Sequence, residues 1–178
     1  RIDGDTLALT NEEGRLVRGV TRGDGIRGEN VTSNVRVIRT IPASLSGPAP
    51  ARMEIRGEIY LPRSVFLKMN DEREQAGLPL FANPRNAAAG ALRTLDSRAV
   101  ARRGLSAYTY QIVMPAGAEP PVTSHAAALR QLAAWGAPVE PHWETCEGFD
   151  ALVTFCQRWR DERRALEFET DGVVIKLD

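Results

Sequence analysis

Two arginines placed around a run of small residues are the first group in this sequence that could do chemistry. Arg85 and Arg93 lie in residues 81–93, which read FANPRNAAAGALR. Arginine is always charged, and its planar fork matches the geometry of phosphate oxygens. Asn83 can cap a helix whose first turn suits Pro84, and on a regular helix the two arginines would lie about 80° apart. The segment predicts either two cations converging on one polyanion or a tight helix–helix contact with two solvated arginines.

Four further motifs follow one fixed order along the chain. They are Ile2-Asp3-Gly4, Thr21-Arg22-Gly23-Asp24-Gly25, Arg56-Gly57-Glu58 and Asp171-Gly172-Val173-Val174-Ile175-Lys176. Each is ordinary by itself, since Asp-Gly favours a turn, glycine-rich loops are common and a glutamate on a strand surface is often just solvated. A functional interpretation therefore depends on their combination.

The elements that must position these residues can be read from hydrophobic spacing. Residues 54–60 alternate between polar and apolar side chains, which predicts a strand with Glu54, Arg56 and Glu58 on one face. Residues 150–164 have helical spacing, with an inward face listed as Leu152, Val153, Cys156 and Trp159. The other predicted elements are a hairpin of residues 6–10 and 16–20 around a turn at 11–14, a helix at 62–76, a strand at 106–113, a loop at 116–121, a helix capped by Ser124 and ended by Gly136, and a buried final strand at 172–177.

Hairpins mixed with separate helices predict an α+β domain with a mostly antiparallel sheet. A length of 178 residues suits one domain, and 43% hydrophobic with 26% charged residues is typical of a soluble globular protein. The Gly-x-Gly-x-x-Gly at residues 23–28 opens no predicted helix, which argues against a doubly wound dinucleotide-binding fold. No apolar run approaches the ~20 residues of a membrane span.

The charge and the cysteine content limit which binding partners and which cellular setting the sequence indicates. The formal net charge is zero, which argues against strong electrostatic binding of nucleic acid by this chain alone. Lys68 and Lys176 are the only lysines, and the other residues of the Lys and Arg set are arginines. This usage favours bidentate contacts with phosphate, or it reflects a compositional bias of the source genome. Cys146 and Cys156 have no metal-site spacing and are predicted to be small core residues in a reducing, cytosolic setting.

Together, the five motifs closely resemble the adenylation (nucleotidyltransferase) domain of bacterial NAD-dependent DNA ligases. The resemblance covers essentially all of residues 1–178 as one domain, and FANPRNAAAG and DGVVIK are its most specific strings. It implies the catalytic-core fold shared with mRNA capping enzymes, NAD+ as the AMP donor, Mg2+, and nicked duplex DNA as the partner in replication and repair. It also implies a cytoplasmic monomer with no membrane association. In the family, a nicotinamide-recognition segment lies upstream of such a core, and an OB domain, a zinc finger, HhH repeats and a BRCT domain lie downstream.

The resemblance implies roles for ten residues. In the family, a lysine amine attacks the α-phosphate of NAD+, the AMP passes to a DNA 5′-phosphate, and the 3′-hydroxyl then displaces it to close the nick. The implied catalytic set is Arg1 at the nucleophile position, Asp3, Arg22, Arg85, Arg93 and Asp171. The implied nucleotide-binding set is Glu58 at the ribose, Tyr110 stacked on adenine, Arg163 and Lys176, with no metal ligand. Without the resemblance, Tyr110 would be interpreted as a core residue.

Arg1 departs from the family at its most important position. A guanidinium stays protonated and its nitrogen lone pairs are delocalised, so Arg1 can hold a phosphate but should not form a covalent AMP adduct. An engineered variant, a drifted homologue and an artefact at the end of a gene fragment all stay open as explanations. A non-catalytic nucleotide- or DNA-binding module is therefore the alternative hypothesis. An ATP-dependent ligase or a capping enzyme is disfavoured, because FANPRNAAAG is typical of the NAD-dependent branch.

Overall fold

A four-stranded antiparallel sheet forms the centre of the molecule. A computed structural model describes residues 1–23 and 28–178. The strands are β1 (Asp5–Glu12), β2 (Arg15–Thr21), β3 (Arg52–Tyr60) and β4 (Ser106–Val113), and their order in the sheet is β2-β1-β3-β4. Together with the surrounding helices, this sheet confirms the predicted α+β class, and β4 has the predicted bounds.

The β1–β2 hairpin is tighter than predicted. Its turn is reduced to Glu13 and Gly14, whose φ angles are 48° and 73°. Two successive left-handed residues give a two-residue turn whose twist matches that of the flanking strands, and glycine adopts this conformation without steric cost. Asn11 was predicted in the turn, but the strand continues through it and its side chain is buried.

Six α-helices accompany the sheet in the described part of the chain. They are α1 (Thr32–Val35), α2 (Arg63–Gln75), α3 (Pro84–Leu92), α4 (Ser97–Arg102), α5 (His125–Ala134) and α6 (Gly148–Glu162), and a 3-10 turn follows at Arg163–Ala165. The sequence did not predict α1 and α4, which are only four and six residues long. Asn83 caps α3 as predicted, since its side chain accepts a hydrogen bond from the N–H of Asn86 at 2.8 Å. Across residues 1–23 and 28–178, no helix is both long and apolar enough to cross a membrane.

One face of the sheet is covered by the hydrophobic core. Leu7 of β1 and Ile55 and Ile59 of β3 belong to a buried cluster that also contains Leu92 of α3 and Val35 of α1. The opposite face of β3 carries the polar residues of the predicted alternation, which leaves it available for a site. The predicted two-faced strand is therefore confirmed.

The prediction of a buried final strand at residues 172–177 was wrong. Val174 is 58% exposed and Ile175 is 59% exposed, and the segment pairs with no strand among the described residues. Its β-branched composition favours an extended backbone. An extended backbone, however, acquires its hydrogen bonds only from a neighbouring strand, and β-propensity alone cannot supply one.

Helix α6 also differs from its prediction. It begins at Gly148, and none of its residues is fully buried, so the predicted inward face is only half covered. His142 packs edge-on against Trp159 with ring centroids 4.8 Å apart, so the helix packs on the segment before it. Cys146 and Cys156 are free and partly exposed, and their predicted place in the core was wrong.

Candidate functional site

Glu58 lies on the polar face of β3, near the start of β1. The strand register places it opposite Thr6, whose hydroxyl donates a hydrogen bond to Oε2 of Glu58 at 3.2 Å. Burial raises the pKa of Glu58 above the ordinary glutamate value, while the Thr6 hydrogen bond and the charges of Arg1 and Arg85 act against this rise. Glu58 is therefore a half-buried carboxylate that retains acceptor capacity for a ligand hydroxyl.

Tyr110 occupies an irregularity in the pairing of β3 with β4. The register skips it, because Gln111 and Thr109 pair with consecutive residues of β3 and Tyr110 has no partner between them. Such a bulge changes the direction of a side chain and is frequent beside functional sites. Gly57 faces this irregularity, where a Cβ atom would lie only 2.4 Å from the carbonyl oxygen of Tyr108. The glycine of the Arg56-Gly57-Glu58 motif is thus required by close backbone packing.

Tyr110 shares a face with Glu58, because it lies two residues beyond Tyr108, which is directly opposite Glu58. Burial raises the pKa of the Tyr110 hydroxyl, and the nearby Glu58 carboxylate raises it further. The ammonium of Lys176 lies 5.9 Å from the centre of the Tyr110 ring. Lys176 is exposed as a whole, yet partial shielding from water lowers the pKa of its ammonium. These three side chains form an aromatic surface with a carboxylate and a cation beside it.

Backbone pairing brings the start of the sequence to Asp171. Ile2 and Thr170 form an antiparallel bridge, and beside it the N–H of Asp171 donates to the carbonyl of Arg1 at 3.0 Å. The guanidinium Nη1 of Arg1 lies 3.8 Å from Oδ2 of Asp171. Both side chains are largely exposed, so their ion pair contributes little stability. Two motifs from opposite ends of the sequence therefore meet.

Gly4 allows β1 to begin in close contact with β3. A Cβ atom at Gly4 would lie 2.2 Å from the carbonyl oxygen of Ile59, so no side chain fits at this position. The residue before it, Asp3, then faces helix α3, and its Oδ1 lies 3.6 Å from Nη1 of Arg85. The glycine of the first motif thus places Asp3 against one of the two arginines of residues 81–93.

Arg93 lies between two carboxylates that the sequence reading did not select. Its Nε donates to Oε2 of Glu29 at 2.6 Å, and its Nη2 lies 3.6 Å from Oδ2 of Asp5. This oxygen of Asp5 is covered and has no hydrogen-bond partner among the described residues, and burial raises the pKa of Asp5. Asp3 and Asp5 are two residues apart at the entry to β1, a spacing that places both on one face of an extended chain. This spacing is the signal that could have predicted two acidic partners for the two arginines.

Arg163 and Arg22 stand apart from these contacts. Nη1 of Arg163 donates to the carbonyl of Thr170 at 2.8 Å, so it supports the backbone beside Asp171. Arg22 is exposed, its backbone N–H donates to the carbonyl of Thr6 at 3.0 Å, and the charge of its side chain acts to lower the pKa of Tyr110, against the rise caused by burial. Residues 24–27, which include the rest of its motif, lie outside the described residues.

An aromatic cluster that the sequence did not predict anchors the segment before Asp171. The rings of Tyr60 and Tyr108 stack with centroids 5.4 Å apart, and Phe168 packs edge-on against both, at 5.4 Å and 5.6 Å. Arg63, at the start of α2, adds an ion pair with Glu169 at 3.0 Å. These residues come from separate elements, so no local spacing rule could connect them.

Comparison with known proteins identifies the family. A family model described as the NAD-dependent DNA ligase adenylation domain matches residues 1–178. The chain belongs to this family. A DNA ligase from Thermomicrobium roseum is 48% identical over 182 residues, which cover 100% of this chain and 26% of that protein. The chain thus spans about a quarter of the length of this relative, and the resemblance read from the motifs is confirmed.

The candidate site has two sides, which are named for the roles that the resemblance implies. The nucleotide side consists of Glu58, Tyr110 and Lys176, and it offers an aromatic face, a hydroxyl acceptor and a cation. The arginine side consists of Arg85 and Arg93, each opposed by an aspartate at the start of β1.

Proposed function

We propose that this domain is the AMP-holding catalytic core of a longer DNA ligase that takes AMP from NAD+ and seals nicks between a 5′-phosphate and a 3′-hydroxyl in duplex DNA. The observation that carries the proposal is the convergence of Glu58, Tyr110 and Lys176 on one side of the sheet. Adenine would stack on the Tyr110 ring, Glu58 would accept a ribose hydroxyl, and Lys176 would offset the phosphate charge. The proposed setting is a cytoplasmic monomer acting in DNA replication and repair.

The arginine side would bind DNA in this proposal. Arg85 and Arg93 would release Asp3 and Asp5 and take phosphate oxygens of the nicked strand in their place. Exchange of one anion for another keeps an opposite charge beside each guanidinium and avoids leaving it without a partner. The two guanidinium groups would position and stabilise the reacting phosphate, and such positioning is a main contribution of side chains to phosphoryl-type transfer.

Position 1 determines which steps the chain can perform by itself. Covalent transfer of AMP from NAD+ requires an amine that can lose its proton, and the guanidinium of Arg1 stays charged. Arg1 would therefore hold a phosphate next to Asp171 without becoming adenylated. Self-adenylation is absent in the proposed account of this chain, although the remaining site residues are present.

Mg2+ is part of the proposed reaction, but the described residues form no site for it. Across residues 1–23 and 28–178, no group of three or more histidines, cysteines, aspartates or glutamates could hold a metal ion. The cleft carboxylates Asp3, Asp5 and Asp171 each face an arginine instead. Mg2+ is usually bound through substrate phosphates and few carboxylates, so we assign it no protein ligand and no step.

Calorimetric titration with AMP tests the nucleotide side. We expect weak binding to the unaltered chain and a loss of about fivefold or more in Tyr110→Ala, since base–aromatic stacking contributes about 1–3 kcal/mol. Gln111→Ala is the matched control, because it removes a neighbouring side chain on the same strand. Equal AMP affinity in the two variants would refute the site. NAD+ binding far tighter than AMP binding would show that another part of the chain reads the nicotinamide half.

The second candidate is a non-catalytic nucleotide- or DNA-binding module derived from such a ligase. The observation that favours it is Arg1 itself. The module would bind AMP or DNA but would stay free of covalent AMP even after Arg1→Lys. Intact-mass measurement on that variant, joined to a nicotinamide-recognition segment of the family, therefore separates the two candidates.

A further inference from the structure

Leu95 is the most exposed apolar side chain beside the arginine side. It lies in the turn between α3 and α4, two residues after Arg93, and is 103% exposed. A single exposed leucine is ordinary on a protein surface and by itself indicates nothing. The turn that presents this leucine is, however, fixed from both sides.

A buried amide holds the turn from below. Asn34 is 5% exposed, and its Nδ2 donates to the carbonyl of Leu92 at 2.6 Å and to that of Thr94 at 2.8 Å. On the other side of Leu95, Asp96 caps α4 by accepting from the N–H of Arg98 at 2.9 Å. Hydrogen bonds thus fix the backbone on both sides of Leu95, and this backbone directs the leucine side chain into solvent.

Helix α4, which follows Leu95, carries several arginines. Arg98 lies in α4, and Arg102 and Arg103 are at its end. Among the described residues, no carboxylate lies within ion-pair distance of these three arginines, whereas Arg93 has two acidic partners. Cations without internal partners are available to an external polyanion.

We propose that Leu95 contacts the nicked duplex directly, as an apolar tip against sugar or base edges in the minor groove, while the flanking arginines bind phosphates. This inference rests on the proposed function, which makes DNA the partner. Apolar side chains are inserted at base steps by many proteins that bend DNA, and the cost is the loss of stacking at that step. A nick has already interrupted the backbone there, so the step opens more easily than in an uninterrupted duplex. Leu95 should therefore favour nicked over intact DNA.

Fluorescence anisotropy tests this contact with a labelled nicked duplex and an uninterrupted duplex of the same sequence, each measured at several salt concentrations. For Leu95→Ala we expect affinity for the nicked duplex to fall on the order of tenfold, because a buried apolar contact is lost. The slope of log affinity against log salt should stay unchanged, since no phosphate contact is removed. Arg98→Ala should instead reduce that slope by about one.

Two further variants serve as controls. Leu67→Ala truncates a leucine that is 57% exposed on α2 beside the Lys68–Glu72 ion pair, and it should leave DNA binding unchanged. Leu95→Met keeps an apolar tip and should retain most of the affinity. Because Leu95 is fully exposed, the thermal unfolding of Leu95→Ala should match that of the unaltered chain.

The inference is overturned if Leu95→Ala binds nicked DNA as the unaltered chain does, if it loses affinity equally for both duplexes, or if Leu67→Ala has the same effect. It also fails if the unaltered chain binds no nicked duplex at low salt. AMP binding measured by calorimetry in that last case would leave the nucleotide proposal standing, so the two failures are distinguishable.

Discussion

The two most specific strings of the sequence adopt different structures. Residues 81–93 form a capped helix, α3, whose Ala87, Ala88 and Leu92 are fully buried. Residues 171–176 carry an equally specific motif, but they are exposed and belong to no strand of the described residues, although Asp171 and Gly172 form backbone hydrogen bonds with Arg1. The strength of a motif therefore does not indicate how firmly its segment is held.

The difference has a physical cause. A helix satisfies its backbone hydrogen bonds within its own segment, and α3 adds a side-chain cap and a buried face. A strand depends on a neighbour for every N–H and C=O group. Residues 171–176 contact the rest of the molecule through backbone hydrogen bonds of Asp171 and Gly172 with Arg1 and through the side chains of Asp171 and Lys176, which belong to the candidate site.

The largest expected effect is the loss of packing under α3. Leu92→Ala removes a fully buried side chain from the core and should lower the free energy of unfolding by about 3 kcal/mol. Urea denaturation followed by circular dichroism measures this change. A loss below about 1 kcal/mol would mean that α3 is not packed firmly. The contrast between a firmly packed segment at residues 81–93 and an exposed one at residues 171–176 would then not hold.

Glu58 should make AMP binding depend on pH. Its pKa is raised by burial, so as the pH falls the carboxylate is protonated at a pH above the ordinary glutamate value, and AMP affinity should decrease there. Glu58→Gln should reduce affinity about tenfold at neutral pH and abolish the inflection, because a hydrogen bond to a charged acceptor is lost. Calorimetric titrations across a pH series measure both effects.

Folding stability provides the control for this pH dependence. A glutamate with a raised folded pKa binds protons more readily in the folded state than in the unfolded state. The contribution of Glu58 to stability therefore becomes more favourable as the pH falls through that window, opposite to its effect on AMP affinity. A loss of AMP binding that parallels a loss of folded protein would contradict the role assigned to Glu58.

The cap of α3 should have a moderate effect. Asn83→Ala removes the acceptor for the N–H of Asn86 and should cost about 1 kcal/mol of stability. Asn83→Asp keeps an acceptor and should restore most of the loss. Equal stability of the two variants in urea denaturation would show that the side chain does not cap the helix in solution.

The smallest expected effect lies in the final segment. Ile175→Ala truncates a side chain that is 59% exposed, and it should change stability by less than about 0.5 kcal/mol. The same denaturation experiment sharpens the comparison with Leu92→Ala. A cost near that of Leu92→Ala would mean that residues 172–177 are buried in solution, as the sequence predicted.

Local patterns predicted most of the fold. The alternation of residues 54–60 and the caps at Asn83 and Ser124 depend on neighbours in sequence, and the structure confirms them. The bulge at Tyr110 and the aromatic cluster around Phe168 arise from contacts between separate elements, which spacing alone does not encode. The final strand was predicted wrongly because composition indicates an extended backbone but cannot indicate a pairing partner.

The sequence predicted the candidate site less completely than it predicted the fold. The family resemblance supplied all ten residues, and the structure brings Arg1 beside Asp171, Asp3 beside Arg85, and Lys176 beside Tyr110. Their roles stay predictions. Asp5 and Glu29 were missed because their importance depends on the position of Arg93, which only the packing of α3 on β1 determines.

Intact-mass spectrometry after incubation with NAD+ and Mg2+ tests the central claim most directly, which is that residue 1 faces the nucleotide side at the nucleophile position. The unaltered chain should gain no mass. Arg1→Lys, joined to a nicotinamide-recognition segment of the family, should gain one adenylate, because lysine supplies an amine whose pKa is lowered by the neighbouring cations, so that it can lose its proton to water and attack. Adding Tyr110→Ala to that variant should reduce the yield. An adduct on the unaltered chain, or none on the joined Arg1→Lys protein, would contradict the account.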